Sequence, residues 1–236
     1  MARVCLCVNQ IAHIRNMNKA KTPDPVSAAV AAEIAGIDGI TVQLREDRMD
    51  IIDRDVAVLK EVVQSHLNIA VAMNDDMIKK VVTWLPDMVT LLPAANEMSM
   101  DQSLDVVTNL EYLEEVVTQL RANNIVVSAL IKPDPQQIRA AARVRLDYVQ
   151  INTAPLATIG DLGTMGDMVE QIRSVAIAAN KLGLGVAAGR GLNEQALKEL
   201  SDIPLIEEFN IGRSIIAKSL LVGMERAVKQ FKFMLA

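Results

Sequence analysis

Eight short apolar segments, each followed by an amphipathic segment with helix punctuation, predict one closed (βα)₈ barrel, an α/β TIM barrel over residues 1–236. Three observations carry this prediction. Strand-like and helix-like segments alternate without exception. The strand-like segments are nearly continuous in apolar residues, as parallel strands covered on both faces require, and right-handed crossovers roll such units into a barrel. The last two strands end in Gly189-Arg190-Gly191 and Gly212-Arg213, each directly before a helix. Glycine there lets a ligand approach the backbone, the helix start offers unpaired N–H groups, and barrels of this kind hold phosphate at their last two strands. An open doubly wound sheet is the competing arrangement, but such sheets usually carry fewer strands.

The first strand is read as Arg3 to Asn9. The first helix follows in PDPVSAAVAAEIAG, with Asp24 as N-cap, Pro25 at the first helical position and Gly36 as terminator. Strand GITVQL then pairs in sequence with helix RDVAVLKEVVQS, NIAVAM with DDMIKKVVTWL, and MVTLLP with the long DVVTNLEYLEEVVTQLRAN. IVVSALI precedes DPQQIRAAAR, YVQINT precedes MVEQIRSVAIAANKLG, and LGVAAG precedes NEQALKEL. EFNIG runs into the final helix, which starts RSIIAKSLLVGM and ends in Phe231, Phe233, Met234 and Leu235, apolar residues expected to seek an interface.

Composition narrows the function. Half of the chain is apolar (51%), enough for one large core, and a net charge of −5 with mixed signs argues against nucleic acid as the main partner and leaves no basic face for a membrane. Apolar runs fall short of a bilayer span and Met1-Ala2-Arg3 leads straight into a strand, so a soluble, cytoplasmic protein is expected. Cys5 and Cys7 point the same way on one strand and are read as free thiols. Nothing nearby completes a metal set, and no metal is expected.

In a barrel the strand C-termini hold the chemistry. The residues there are Asn9 and Gln10, Gln43 and Arg45, Ala70 and Asn74, Pro93 to Ser99, Lys132, Gln150 and Asn152, Arg190, and Arg213. Amides and guanidiniums dominate, and neither serves as a general base near neutral pH. His66 precedes the third strand, at the face opposite the mouth, and reads as structural. His13, in the loop after the first strand, could reach the mouth. Glu46 and Asp47 stand between Arg45 and Arg48, which suggests an ion-paired loop. Lys132 is the one amine placed for a Schiff base, although its Pro-Asp context reads as solvent-facing.

Seven colinear blocks carry a resemblance: Val8-Asn9, PDPV from Pro23, AGIDGITVQLREDR from Ala35, DRDV from Asp53, SLDVV from Ser103, AGRGL from Ala188 and FNIGRSIIAKSL from Phe209. Together they resemble pyridoxine 5′-phosphate synthase over nearly the whole chain. The resemblance implies a (βα)₈ barrel that assembles as a homo-oligomer, a dimer or octamer. It also implies condensation of 1-deoxy-D-xylulose 5-phosphate with 3-amino-2-oxopropyl phosphate, and no cofactor. Asn9 matches the family's asparagine for the amino-ketone phosphate, Arg45 its arginine for the pentulose phosphate, and Ser99 stands where a threonine binds the same sugar. Gly191 and Gly212 match the backbone positions that cradle the other phosphate.

The family's ionisable positions differ. Its strand-two histidine base is Gln43, its strand-three glutamate base is Ala70, its strand-six glutamate is Gln150, its strand-seven histidine acid is Arg190, and the histidine beside the strand-eight glycine is Arg213. Loop one is shorter by two residues, and the following arginine contact falls on Asn18. Each acid–base group typically contributes ~10²–10⁴-fold, so the parent condensation is expected to be lost. The leading expectation is therefore a phosphate-binding mouth that takes a phosphorylated small molecule without the parent reaction, using Asn9, Arg45, Ser99, Arg190, Gly191, Gly212 and Arg213. The alternatives are an active enzyme of vitamin B6 biosynthesis, a changed reaction using His13, Glu46 or Lys132, and a structural oligomer. Arg190 and Arg213 could also fill a dead pocket by pairing with an internal carboxylate.

Overall fold

The structure, a computed structural model, describes residues 2–93 and 102–235. Eight parallel strands close in sequence order, β1 through β8, with β8 returning to pair with β1. They are β1 (Arg3–Cys7), β2 (Gly39–Leu44), β3 (Leu67–Ala72), β4 (Met88–Leu92), β5 (Val126–Ile131), β6 (Tyr148–Asn152), β7 (Gly185–Gly189) and β8 (Glu208–Ile211). The helices are α1 (Asn9–Met17), α2 (Pro25–Ile34), α3 (Asp53–Val62), α4 (Asp75–Trp84), α5 (Leu110–Ala122), α6 (Pro135–Arg143), α7 (Leu162–Lys181), α8 (Glu194–Ser201), α9 (Arg213–Val222) and α10 (Met224–Phe233).

Side chains that alternate along each strand divide into two populations. Val4, Leu6, Ile40, Val42, Ile69 and Val71 join the large core between sheet and helices. The opposite set faces the lumen and is mostly polar: Thr41, Asn68, Thr90, Ser128, Gln150, Glu208 and Asn210 are all buried. Asn210 is the hub of this lumen. Its Oδ1 accepts from Thr41 Oγ1 at 2.5 Å, and its Nδ2 donates to Glu208 Oε1 at 2.8 Å and to Gln150 Oε1 at 3.3 Å. Glu208 is fully buried and stands 3.1 Å from the Arg3 guanidinium at the N-terminal end of the barrel. Ala70, Leu92 and Leu130 form a small separate apolar cluster.

A repeated device stitches the N-terminal rim. Asp38, Asp87 and Asp147, just before β2, β4 and β6, each accept a hydrogen bond from the backbone N–H of Val4, Leu67 and Val127 on the preceding strand, at 2.8, 2.8 and 2.9 Å. His66 lies at this same rim, next to β3, where burial pushes its pKa down while Glu208 and Asp87 push it up, which agrees with a structural reading.

Helix boundaries follow their caps. Asp24, Asn74, Asp134, Asp161 and Asn193 each accept from a first-turn N–H of α2, α4, α6, α7 and α8. Four expectations are corrected. The stretch after β1 is not a loop: Asn9–Met17 is helical, so His13 lies on α1. The long helix before β5 starts at Leu110 instead of Asp105, because the Asp105 carboxylate accepts from the Val107 N–H at 3.1 Å and bends the chain into a turn. α7 begins at Leu162, capped by Asp161, and not at Met168. The last helix is two, α9 and α10, broken at Gly223 with φ of 84°. Phe231 of α10 is buried in the chain's own core, whereas Phe233 is 83% exposed. Among the described residues no helix is long and apolar enough to cross a membrane.

A buried ion pair anchors α1. Arg15 donates from Nη1 and Nη2 to the two oxygens of Asp55 at 2.7 and 2.8 Å, and Asp55 also accepts from the Ile52 N–H at the start of α3. Both partners are buried, with Asp55 at 0% exposure. Asp55→Ala is expected to destabilise the fold by about 3–5 kcal/mol, because a buried guanidinium is left without its counter-charge. Replacing both residues with apolar side chains of similar volume should recover most of that loss, as read by urea denaturation.

Candidate active site

The strand C-termini surround a cavity of about 220 Å³. Strand ends β1, β2, β6, β7 and β8 contribute polar side chains to its wall, and Ala70, Thr90 and Leu92 of β3 and β4 complete it.

On the β7–β8 side, Arg190 and Gly191 occupy consecutive left-handed positions with φ of 74° and 67°. Left-handed backbone is costly for a side chain as large as arginine and persists where the surroundings hold it. Here Thr153 holds it: its Oγ1 donates to the Gly189 and Arg190 carbonyls at 2.9 and 2.6 Å. Gly191 is confined as well, since an added Cβ would lie 3.0 Å from Ala154 Cα. Gly212 is the N-cap of α9, and no side chain caps that helix. A Cβ at Gly212 would meet Gln10 Oε1 at 2.8 Å and Cys7 Cβ at 3.1 Å. The first turn of α9 therefore opens on the cavity beside Arg213, an exposed residue, and Gln10 Oε1 is buried with no partner among the described residues.

Arg190 is the electrostatic surprise. Burial pulls its pKa down, and the only countervailing influence among the described residues is the Cys7 thiol, not a carboxylate. Among the described residues no carboxylate pairs with it, as the dead-pocket alternative of an arginine held by an internal carboxylate would require. Cys7 in turn is pushed up by burial and pulled back by the Asn9 backbone N–H and by Arg190.

The β1–β2 side is more heavily bonded. Asn9 clasps β2 through both backbone groups of Gln43, donating Nδ2 to its carbonyl at 2.7 Å and accepting its N–H at 2.8 Å. Arg45 grips Asp47 in a bidentate pair at 2.9 and 2.6 Å, which holds the Asp47 carboxyl at about 2. The expected ion-paired loop is thus present, and Arg45 meets the cavity with its charge largely compensated. Arg48 pairs with Asp53 and donates to the Arg45 carbonyl.

Of the remaining candidates, Gln43, Ala70 and Gln150 reach the cavity as expected, Gln150 through its bond with Asn210. Glu46 does not: it accepts from Asn74 Nδ2 at 2.6 Å in a separate recess with Asp75 and Asp76. Lys132 is exposed beside Ser103 and Asn152, outside the cavity. His13 is not in the wall but bonds a residue that is: Asp50, at 2.8 Å. Ser99 lies outside the described residues. Sequence reasoning overlooked Cys7, Thr41, Asp50 and Asn210. Period-two alternation from Gly212 back to Asn210, from Gln43 back to Thr41 and from Cys5 on to Cys7 could have found three of them. Asp50 lies beyond its strand end, where no period applies.

The chain matches the family model described as "Pyridoxal phosphate biosynthesis protein PdxJ" over residues 4–236. The chain belongs to this family. It is 41% identical over 230 residues to the pyridoxine 5′-phosphate synthase of Geotalea uraniireducens, covering 97% of this chain and 96% of that one. It is 43% identical over 231 residues to that of Syntrophobacter fumaroxidans, covering 98% and 97%. Solved structures at 14% identity show the fold alone: a phosphoribosyl anthranilate isomerase from Thermotoga maritima superposes with a TM-score of 0.64, covering 100% of this chain and 98% of that one. A 4-hydroxy-2-oxoglutarate aldolase gives 0.61 at 14%, covering 89% and 88%.

The Cys7–Arg190 contact can be tested in this PdxJ-family barrel. In a Cys5→Ala background, the pH midpoint of Cys7 alkylation should lie above the ordinary thiol value of 9.0. Arg190→Met, which keeps volume and removes charge, should move it higher still. An unchanged midpoint would mean that the guanidinium does not face the thiol.

Proposed function

We propose that the chain acts on a phosphorylated small molecule at the barrel mouth, as an enzyme of pyridoxine 5′-phosphate synthesis. The observation that carries this is the convergence of two backbone cradles and two guanidiniums on one cavity: Arg190 and Gly191 after β7, Gly212 and Arg213 after β8. A phosphate there would take up N–H groups of an uncapped helix start and complete the charge of Arg190, whose burial costs most when no anion is present. Asn9 then acts as a clasp that keeps β1 and β2 in register under the ligand, and Arg45, already held by Asp47, offers a second, weaker anion contact. The close relatives, each named pyridoxine 5′-phosphate synthase, favour turnover over the binding-only role expected from the sequence.

Binding without turnover stays a second reading because of one observation. Gln43, Ala70, Gln150 and Arg190, at the family's ionisable positions, cannot exchange protons near neutral pH. Assembly into a homo-oligomer is supported by Leu220, Leu221 and Phe233, which are 72, 84 and 83% exposed.

Calorimetry with inorganic phosphate should give saturable binding that Arg213→Ala and Arg190→Ala each weaken by roughly 10-fold or more, as loss of a charge-assisted hydrogen bond worth ~1.5–3 kcal/mol implies. Unchanged binding in both variants would remove the cradle. Incubation with 1-deoxy-D-xylulose 5-phosphate and 3-amino-2-oxopropyl phosphate should yield pyridoxine 5′-phosphate by chromatography. Saturable binding of both without product would leave the binding-only reading in place.

A further inference from the structure

We propose that Asp50, hydrogen-bonded to His13, is the proton-transfer group of the mouth, in place of the amides at its strand ends. Asp50 is the one carboxylate among the described residues of the cavity wall; its neighbours there are amides, hydroxyls, guanidiniums, glycines, the Cys7 thiol and the apolar Ala70, Leu92 and Leu192. Its side chain is 19% exposed, and its Oδ1 lies 2.8 Å from His13 Nδ1. An ionised carboxylate only accepts, so Nδ1 carries the proton and Nε2 is left to exchange with solvent from a side chain that is 48% exposed. The pair thus ties a carboxylate of the cavity wall to a half-exposed imidazole on α1, which fixes its Oδ1.

The geometry around Asp50 is built, not incidental. Asn16 Nδ2 donates to the Met49 and Asp50 carbonyls at 2.8 and 2.7 Å, and Arg15 Nη2 reaches the Asp50 carbonyl at 3.4 Å. Arg15 is itself locked by the buried Asp55, so the helix that carries His13 and the loop that carries Asp50 move as one piece. Catalytic carboxylates need such support, since a displacement of 1 Å can cost ~10²-fold in rate. Among the described residues, Cys7, Arg45 and Arg15 are the other charged or titratable groups that face Asp50. None of them pairs with its carboxylate, and among the described residues Oδ2 is left for a ligand.

The step assigned is reversible removal of a proton α to the carbonyl of a phosphorylated ketone. The C–H bond breaks, its electron pair forms the enolate, the negative charge on oxygen faces the guanidiniums of the wall, and the proton passes to the Asp50 carboxylate. The carboxyl proton exchanges with solvent water and return of a proton from the same group restores the ketone, while His13 Nδ1–H stays on Oδ1 and holds the carboxyl in place. Asp50 is the catalytic residue and His13 the positioning residue. This rests on the reading that the cavity takes a phosphorylated ketone, and the test separates the two.

The probe is 1-deoxy-D-xylulose 5-phosphate in D₂O, with loss of the α-proton signals followed by NMR and binding of inorganic phosphate followed by calorimetry. Wild-type protein should exchange those protons. Asp50→Asn should slow exchange by about 10²–10⁴-fold while phosphate still binds and the melting temperature holds. His13→Gln should keep phosphate binding and flatten the pH profile of exchange, an effect that a merely structural contact would not produce. Phosphate binding without exchange in the wild type, or exchange unaltered in both variants, would overturn this assignment and leave the phosphate site standing. Absence of phosphate binding would overturn the functional reading and this one with it.

Discussion

Pairing of β8 with β1 is the constraint on which the site depends. Its register sets Arg3 against Glu208 and Cys5 against Asn210, so the lumen receives a buried carboxylate, an amide hub and a thiol from two strands far apart in sequence. A slip of one residue would turn Glu208 out into the apolar layer, where a lone carboxylate has no partner and costs several kcal/mol by the usual desolvation penalty of about that size. Closure in this register also brings Gly212 against Cys7 and Gln10. No local segment builds the cavity. It exists because the sheet has no edges.

The barrel was legible because local signals agreed with the global fold. Apolar runs marked the strands, and Asp24, Asn74, Asp134 and Asn193 marked helix starts by their own side-chain hydrogen bonds. Where a helix depends on distant partners, the sequence was silent. α1 begins at Asn9, with Val8 as an N-cap that offers no side-chain hydrogen bond, and it is held by Arg15 reaching Asp55, a partner 40 residues away. The break at Gly223 was visible as a glycine, yet glycine also occurs inside helices, and only the packing of Phe231 into the core decides which it is here.

The mouth was legible in part and for the same reason. Glycine and arginine at two successive strand ends are local signals, and they do converge on one cavity. What each charge meets is not local. Arg45 and Arg190 look alike in sequence, but one is clamped by Asp47 and the other is half-buried, with the Cys7 thiol as its electrostatic neighbour among the described residues. Their chemistry differs because their surroundings do. His13 and Asp50 are separated by 37 residues and come from a helix and a loop, so neither pattern nor spacing joins them.

α10 extends the closure beyond the sheet. Lys232 donates to the Gly36 carbonyl and to Asp38, 194 residues earlier, while Asp38 accepts from the Val4 N–H. The turn that starts β2, the strand that begins the barrel and the helix that follows β8 therefore share one small network. During synthesis on the ribosome, β1 emerges before the other strands of the barrel and can at first gain only β2 as a neighbour; its second neighbour and the lysine that steadies the turn follow after β7. Until β8 follows, the mouth cannot exist, however much of β2 to β7 has already assembled, and the emerging barrel carries an unpaired edge.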